Sequence, residues 1–192
     1  MPPRALILGI GRDGTTSASI LAQGLLEANG DSAAAVGHET NYEALWPAIG
    51  SYVRRKAGEP FRDYLNALPT AVESSVGFAF VLPVLLEVLG PRVPVLRLVR
   101  DEEDLIVSNV KRVAVRPWFW GGYVAAERCL IERPTAPDFG EATAEEWASW
   151  PLHRRVRWYI RKNQELLDNG LDRFERAVAL PTKALGTAEG IE

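Results

Sequence analysis

The stretch ALILGIGRDGTTSASILAQGLLEA, residues 5–28, decides the fold. It opens with a short apolar run at 5–8, continues through the glycine-rich segment 9–14, and then carries apolar residues at helical spacing. This order predicts a strand, a tight loop and a helix. In that arrangement the backbone N–H groups at the start of the helix converge on an anion, because the glycines leave no bulky Cβ in the way.

Two phosphate-binding motifs can be compared with this loop. Gly9 and Gly14 have the spacing of GxxxxGK[ST], but Thr15 stands where the lysine belongs, which weakens a kinase interpretation. Gly9, Gly11 and Gly14 also match the dinucleotide motif GxGxxG, for which Glu39 is the candidate ribose ligand. A strand-to-helix turn that merely needs glycine is the plainest alternative.

The composition favours one globular domain over residues 1–192, with 47% hydrophobic and 24% charged residues. A net charge of −3 argues against general binding of nucleic acid or anionic membranes, so an anion site has to be a local pocket. Cys129 is the only cysteine, which excludes an internal disulfide. The longest apolar run, 76–89, is too short to span a bilayer, and no signal-peptide pattern opens the chain. We therefore expect a cytoplasmic protein without a membrane segment.

Polar residues lie at the ends of three further predicted strands. Segment 33–37 predicts a second strand that ends at His38 and Glu39, and segment 70–75 predicts a third that contains Glu73. A fourth strand is predicted at 93–99, and Arg100 follows it directly, just before a predicted helix. Because the carboxyl ends of parallel strands share one edge of a sheet, we expect these side chains to lie near the first loop.

Two segments of the chain resemble sulfotransferases that use 3′-phosphoadenosine 5′-phosphosulfate (PAPS). The run Arg12-Asp13-Gly14-Thr15-Thr16-Ser17 is similar to their 5′-phosphosulfate loop, in which a basic residue precedes Ser-Gly-Thr-Thr. The run LRLVRDEEDLIVSNVKR, residues 96–112, is similar to the segment that holds the 3′-phosphate, with Arg100 and Ser108 at the family's interval. The arginine and the hydroxyls are suitable donors for such anions.

The resemblance implies a single three-layer α/β domain of P-loop-like type, with a short parallel sheet flanked by helices. It implies PAPS as the cofactor, 3′,5′-diphosphoadenosine as the product, a small-molecule or carbohydrate hydroxyl as the acceptor, and no metal. It is nearest to the bacterial and carbohydrate branches, where a glutamate and an aromatic segment follow the second strand, as Glu39, Tyr42 and Trp46 do here. The family's third strand carries Glu-Lys-Ser or Glu-Lys-Thr, whereas Glu73 is followed by Ser74 and the lysine is missing.

Three residues compete for the role of general base. Glu39 is our first choice, because a carboxylate just after the second strand can face the sulfuryl group held by Arg12. Glu73 is the second carboxylate, and His38 has the more suitable ordinary pKa. Since adjacent residues on an extended segment point in opposite directions, His38 and Glu39 should not both face the pocket.

Other functions remain open at this stage. A P-loop type ATP-dependent small-molecule kinase would need Mg²⁺, which Thr15 or Thr16 could hold with Asp101 or Asp104. A non-catalytic nucleotide-binding protein is the third possibility. Residues 114–150, rich in aromatics and glycine, are a candidate lid or acceptor insert. The arginines of the last helix, Arg154, Arg157 and Arg161, could reach nucleotide or an acidic acceptor, but a solvated face is the better explanation.

Overall fold

The structure is a computed structural model that describes residues 2–10, 14–31, 33–115, 120–121 and 131–186, with only the backbone described at 120–121 and 131–132. The helices are α1 (Thr15–Ala28), α2 (Tyr42–Arg55), α3 (Glu59–Ala67), α4 (Leu82–Leu89), α5 (Glu102–Val115), α6 (Ala144–Ser149) and α7 (Leu152–Gly170). The strands are β1 (Ala5–Leu8), β2 (Val36–His38), β3 (Val72–Ser75), β4 (Val95–Val99), β5 (Trp120–Gly121), β6 (Ile131–Glu132) and β7 (Ala177–Pro181).

Five of these strands form one parallel sheet in the order β2-β3-β1-β4-β7. Leu8 at the end of β1 pairs with Ser75 of β3 and with Arg97 of β4. Helices cover both faces, which confirms the predicted three-layer α/β class. The strand β7 was not predicted from the sequence; among the described strands it pairs only with β4, and it is half-exposed.

The two faces of the sheet are covered unequally. On one face, α1 packs through Ala18 against Ile7 and Leu98. On the other face, Leu6 and Leu8 join the main core, which is built from α2, α3, α4, α5 and α7. Alternation along β1 therefore divides its side chains between a small cluster and a large one.

The structure corrects one expectation about strand order. We expected the end of the second strand to lie beside the first loop, but β3 pairs with β1 and separates it from β2. The residue pattern explains this order. All but the first residue of β3 are buried, whereas β2 is three residues long and includes the exposed His38, which suits a sheet edge.

The C-terminal half of the candidate insert is regular structure. Within the described residues 133–150, a 3-10 helix (Ala136–Phe139) and α6 each begin at a threonine with a capping box. Their aromatic rings continue the core, since Phe139 contacts Phe80 and Trp147 contacts Trp158. The first two residues of the candidate insert belong to α5, which ends at Val115.

Among the described helices, none is long and apolar enough to cross a membrane.

Candidate functional site at the carboxyl edge of the sheet

The sheet has a topological switch point between β1 and β4. The chain leaves β1 through α1 toward β2, and it leaves β4 through α5 toward β7 on the opposite side. In open parallel α/β sheets, ligands bind at the carboxyl edge where neighbouring strands diverge in this way. The loop before α1 and the junction before α5 flank this point.

The N-terminus of α1 has the features of an anion-binding site. Gly14 has a φ of 96°, and a Cβ there would lie 3.0 Å from Thr182 Cγ2 and 3.1 Å from Leu185 Cδ1. Among the described residues no side chain caps the helix, and its first turn contains no acidic residue. The first N–H groups of a helix have no intrahelical acceptor, so those of Thr15 onward are suited to an anion. Arg12 and Asp13 lie outside the described residues.

A hydrogen-bonded bridge connects α1 with the ends of β2 and β3. His38 Nε2 lies 3.1 Å from Thr16 Oγ1, and His38 Nδ1 lies 3.1 Å from Ser74 Oγ. Ser74 Oγ in turn donates to the Thr15 carbonyl oxygen at 3.5 Å. Thr15 is buried, whereas Thr16 and Ser17 are exposed. The histidine therefore connects the edge strand β2 with α1, although the two strands β1 and β2 do not pair.

On the other side of the switch point, Arg100 follows β4 directly. Its Nε lies 3.9 Å from Asp104 Oδ2, and both side chains are partly exposed, so this ion pair is weak. Asp101 begins α5 by accepting a hydrogen bond from the Asp104 N–H at 3.0 Å. Ser108 lies about two turns into α5 and is partly buried.

Glu73 is a fully buried carboxylate whose oxygens are occupied. Its Oε1 accepts from the Thr40 N–H at 2.9 Å, and its Oε2 accepts from the Thr40 hydroxyl at 2.9 Å and the Thr70 hydroxyl at 2.8 Å. Burial raises the pKa of Glu73, while the hydrogen bonds from the two threonines lower it. This carboxylate fixes the turn that follows β2.

Glu39 is placed differently by that same turn. Its φ is 49°, a left-handed conformation that is strained for a side chain with a Cβ, and its N–H donates to the Ser74 carbonyl oxygen at 2.8 Å. The carboxylate oxygen Oε1 is buried and has no hydrogen-bond partner among the described residues. Strained backbone with an unsatisfied carboxylate is typical of a functional position.

A buried polar cluster near Glu39 was not predicted from the sequence. The Arg133 guanidinium, which is fully buried, lies 5.0 Å from the Trp46 ring and 4.9 Å from the Tyr159 ring. Burial raises the pKa of the Tyr159 hydroxyl, the Arg133 charge lowers it, and the Glu39 charge raises it. Trp46 Nε1 and Asn163 Oδ1 are buried without hydrogen-bond partners in the described part of the chain. The segment around Arg133 has no sequence periodicity, so no pattern indicated that this arginine is buried.

The arginines of α7 largely pair with the start of α5. Arg157 Nη2 lies 2.8 Å from Glu103 Oε1, and Arg161 Nε lies 3.0 Å from Glu102 Oε1. The Arg154 guanidinium stacks 4.0 Å from the Trp150 ring centroid. These contacts agree with a surface role for the α7 arginines. Among the described residues, no group of three His, Cys, Asp or Glu side chains is arranged to hold a metal ion.

These features define a three-layer α/β protein with a polar centre at the carboxyl edge of its sheet. Comparison of the chain with known proteins found no matching family model, no similar curated protein and no similar solved structure.

Proposed function

We propose that the chain is a sulfotransferase that transfers the sulfuryl group of PAPS to a hydroxyl of a small-molecule or carbohydrate acceptor. One observation carries the proposal: the two segments that resemble the 5′-phosphosulfate and 3′-phosphate sites flank a single switch point of the sheet. PAPS has anionic groups at both its 5′ and 3′ positions, so it accounts for two anion sites. A nucleoside triphosphate accounts for only the first.

The described residues fit this ligand on the 5′ side. The N-terminus of α1 has left-handed Gly14, no side-chain cap from a described residue and no acidic residue in the first turn, so it is favourable for a phosphate group. On the 3′ side, Arg100 can donate a charge-assisted hydrogen bond to phosphate. Because the competing Asp104 carboxylate is 3.9 Å away and solvent-exposed, the Arg100–Asp104 ion pair is easily exchanged for a phosphate contact.

In the proposed reaction Glu39 accepts the proton of the acceptor hydroxyl. The hydroxyl oxygen forms the new S–O bond as the bond from sulfur to the bridging phosphate oxygen breaks, and the electron pair leaves with 3′,5′-diphosphoadenosine. Arg12 and the N–H groups at the start of α1 stabilise the charge that develops on that phosphate. The buried Oε1 of Glu39 is available for the proton because no described residue donates to it.

Nucleotide binding tests the proposal without knowledge of the acceptor. By calorimetry, 3′,5′-diphosphoadenosine should bind more tightly than 5′-AMP and without divalent metal. Arg100→Ala should weaken binding of the diphosphate by about 10- to 150-fold and leave the affinity for 5′-AMP nearly unchanged, since a hydrogen bond to a charged group contributes about 1.5–3 kcal/mol.

The matched control is Arg92→Ala. Arg92 precedes the amino end of the same strand, and its exposed side chain lies 3.5 Å from Glu175. This variant should bind both nucleotides like the wild type. If Arg100→Ala loses affinity equally for both nucleotides, Arg100 does not bind the 3′-phosphate. Metal-dependent binding of ATP that exceeds that of the diphosphate would replace the sulfotransferase by a kinase.

A further inference from the structure

A separate cavity of about 240 Å³ lies between the C-terminal end of α2, α4 and the C-terminal end of α7. It is remote from the Glu39 turn, because α2 begins just after that turn and its 14 residues extend about 21 Å. Its walls are mainly apolar and include Val53, Leu86 and Leu166. An engineered apolar cavity of about 150 Å³ is enough to bind benzene, so this one can hold a somewhat larger apolar group.

The rim of this cavity is cationic. Lys56 and Arg173, from two different elements, both line it and both are exposed, and the described residues that line it include neither Asp nor Glu. The Lys56 ammonium lies 5.8 Å from the Tyr52 ring centroid. In the described part of the chain no carboxylate lies within the 4.0 Å ion-pair distance of Lys56 or Arg173.

We propose that this cavity is a binding site for a small amphipathic anion, with an alkyl body in the apolar interior and one carboxylate between Lys56 and Arg173. Two features support this ligand class. The interior offers little to a polar body, since Asn169 is its main uncharged polar side chain apart from Tyr52. The two cations at the rim complement one negative head group. The inference does not depend on the sulfotransferase proposal.

Sodium octanoate is a suitable probe, and 1-octanol is its neutral counterpart. We expect saturable one-to-one binding of octanoate by calorimetry, with a Kd of about 0.1–1 mM, as is usual for a ligand of about ten heavy atoms. Octanol should bind at least about tenfold more weakly. The double variant Lys56→Ala/Arg173→Ala should weaken octanoate binding about tenfold and leave octanol binding unchanged, because it alters only the charged rim.

Leu86→Trp tests the location, because the larger side chain fills the cavity from its half-buried wall. It should abolish octanoate binding while thermal melting shows that the chain is folded. The exposed rim variants do not depend on core packing, so they test the site even if Leu86→Trp fails to fold. The proposal is overturned if octanoate shows no saturation up to about 10 mM, if octanol binds as well as octanoate, or if the folded Leu86→Trp variant or the rim variant binds octanoate like the wild type.

Discussion

Glu39 directly follows β2 and Glu73 lies within the neighbouring strand β3, and their carboxylates have opposite surroundings. Glu73 is fully buried and accepts three hydrogen bonds from Thr40 and Thr70. Glu39 is half-buried, has a left-handed backbone, and keeps a buried oxygen without a partner among the described residues. The hydrogen bonds of Glu73 hold the turn after β2, whereas the unsatisfied oxygen and left-handed backbone of Glu39 mark it as a candidate functional position.

The two carboxylates are also connected. Glu73 binds Thr40, which directly follows Glu39, so the satisfied carboxylate positions the unsatisfied one. Tyr64 adds to this arrangement by donating from its hydroxyl to the Thr40 carbonyl oxygen at 2.7 Å. Burial, followed by the charges of Glu73 and Glu39, raises the pKa of Tyr64, which keeps this hydroxyl protonated as a donor. The comparison predicts that changes at Glu39 affect chemistry and that changes around Glu73 affect stability.

The largest effect is expected from Glu39→Gln. The substitution keeps the shape of the side chain and removes its basicity, so sulfuryl transfer should fall by about 10²–10⁴-fold. Calorimetric binding of 3′,5′-diphosphoadenosine should stay nearly unchanged. Turnover is measured with a hydroxyl acceptor identified from a panel, and Glu43→Gln, exposed in the first turn of α2, is the matched control.

The assignment of the base can fail in a specific way. If Glu39→Gln retains turnover while Glu73→Gln or His38→Asn loses it with nucleotide binding intact, the role of base passes to that other residue. The contrast between the two carboxylates would then have no catalytic meaning.

The next effect concerns the stability of the turn after β2. A Cβ on Gly37 would lie 2.2 Å from both Glu73 Oε2 and Thr40 Oγ1, so Gly37→Ala must break the hydrogen bonds that hold Glu73. We expect the free energy of unfolding to fall by about 2–4 kcal/mol in denaturant titrations. Gly24→Ala in α1 is the control, because nothing lies within 4 Å of its added Cβ, and it should gain about 0.5–1 kcal/mol. Equal stability of the two variants would contradict the packing described around Glu73.

A third experiment follows from the raised pKa of Glu73. Because the native state holds this proton more tightly than the unfolded chain, the stability that Glu73 contributes is complete below its unfolded pKa of about 4.3 and declines as the pH rises through its native pKa. The free energy of unfolding of wild type minus that of Glu73→Gln should therefore decrease with pH, by at most about 1.4 kcal/mol per pH unit. A difference that grows with pH would mean that the threonine hydrogen bonds outweigh burial.

The smallest effect is expected from His38→Asn. His38 is exposed and its two contacts, with Thr16 and Ser74, are each 3.1 Å long. Its replacement should therefore weaken binding of 3′,5′-diphosphoadenosine by no more than about fivefold. A loss of a hundredfold or more in calorimetry would give His38 a direct role in the anion site.

Much of the fold could be predicted because its signals are local. The apolar run at 5–8, the glycines after it and the dense branched residues of β4 specify their own elements. The strand β7 was missed because AVALP is short, ends in proline and is half-exposed, so it resembles a loop. Its place in the sheet depends on pairing with β4, which is a long-range contact.

The candidate site was predictable only in part, for a similar physical reason. Glu39 and His38 follow from the rule that parallel strands end at one edge, whereas Glu73 lies within β3, one residue after the strand begins. The separation of β1 from β2 by β3 and the burial of Arg133 between Trp46 and Tyr159 depend on tertiary packing. No spacing along the chain encodes either arrangement.

The contact of Gly14 with Thr182 and Leu185 has a consequence for the order of folding. The 3-10 helix that carries these two residues, Thr182–Gly186, follows β7, and Thr182 also donates to the Val99 carbonyl oxygen at 3.1 Å. The last described element of the chain thus lies against the start of α1, the first helix. Contacts between such distant parts of a chain close the longest loops and form late. The N-terminal end of α1 therefore acquires its final surroundings only after β7 has joined the sheet.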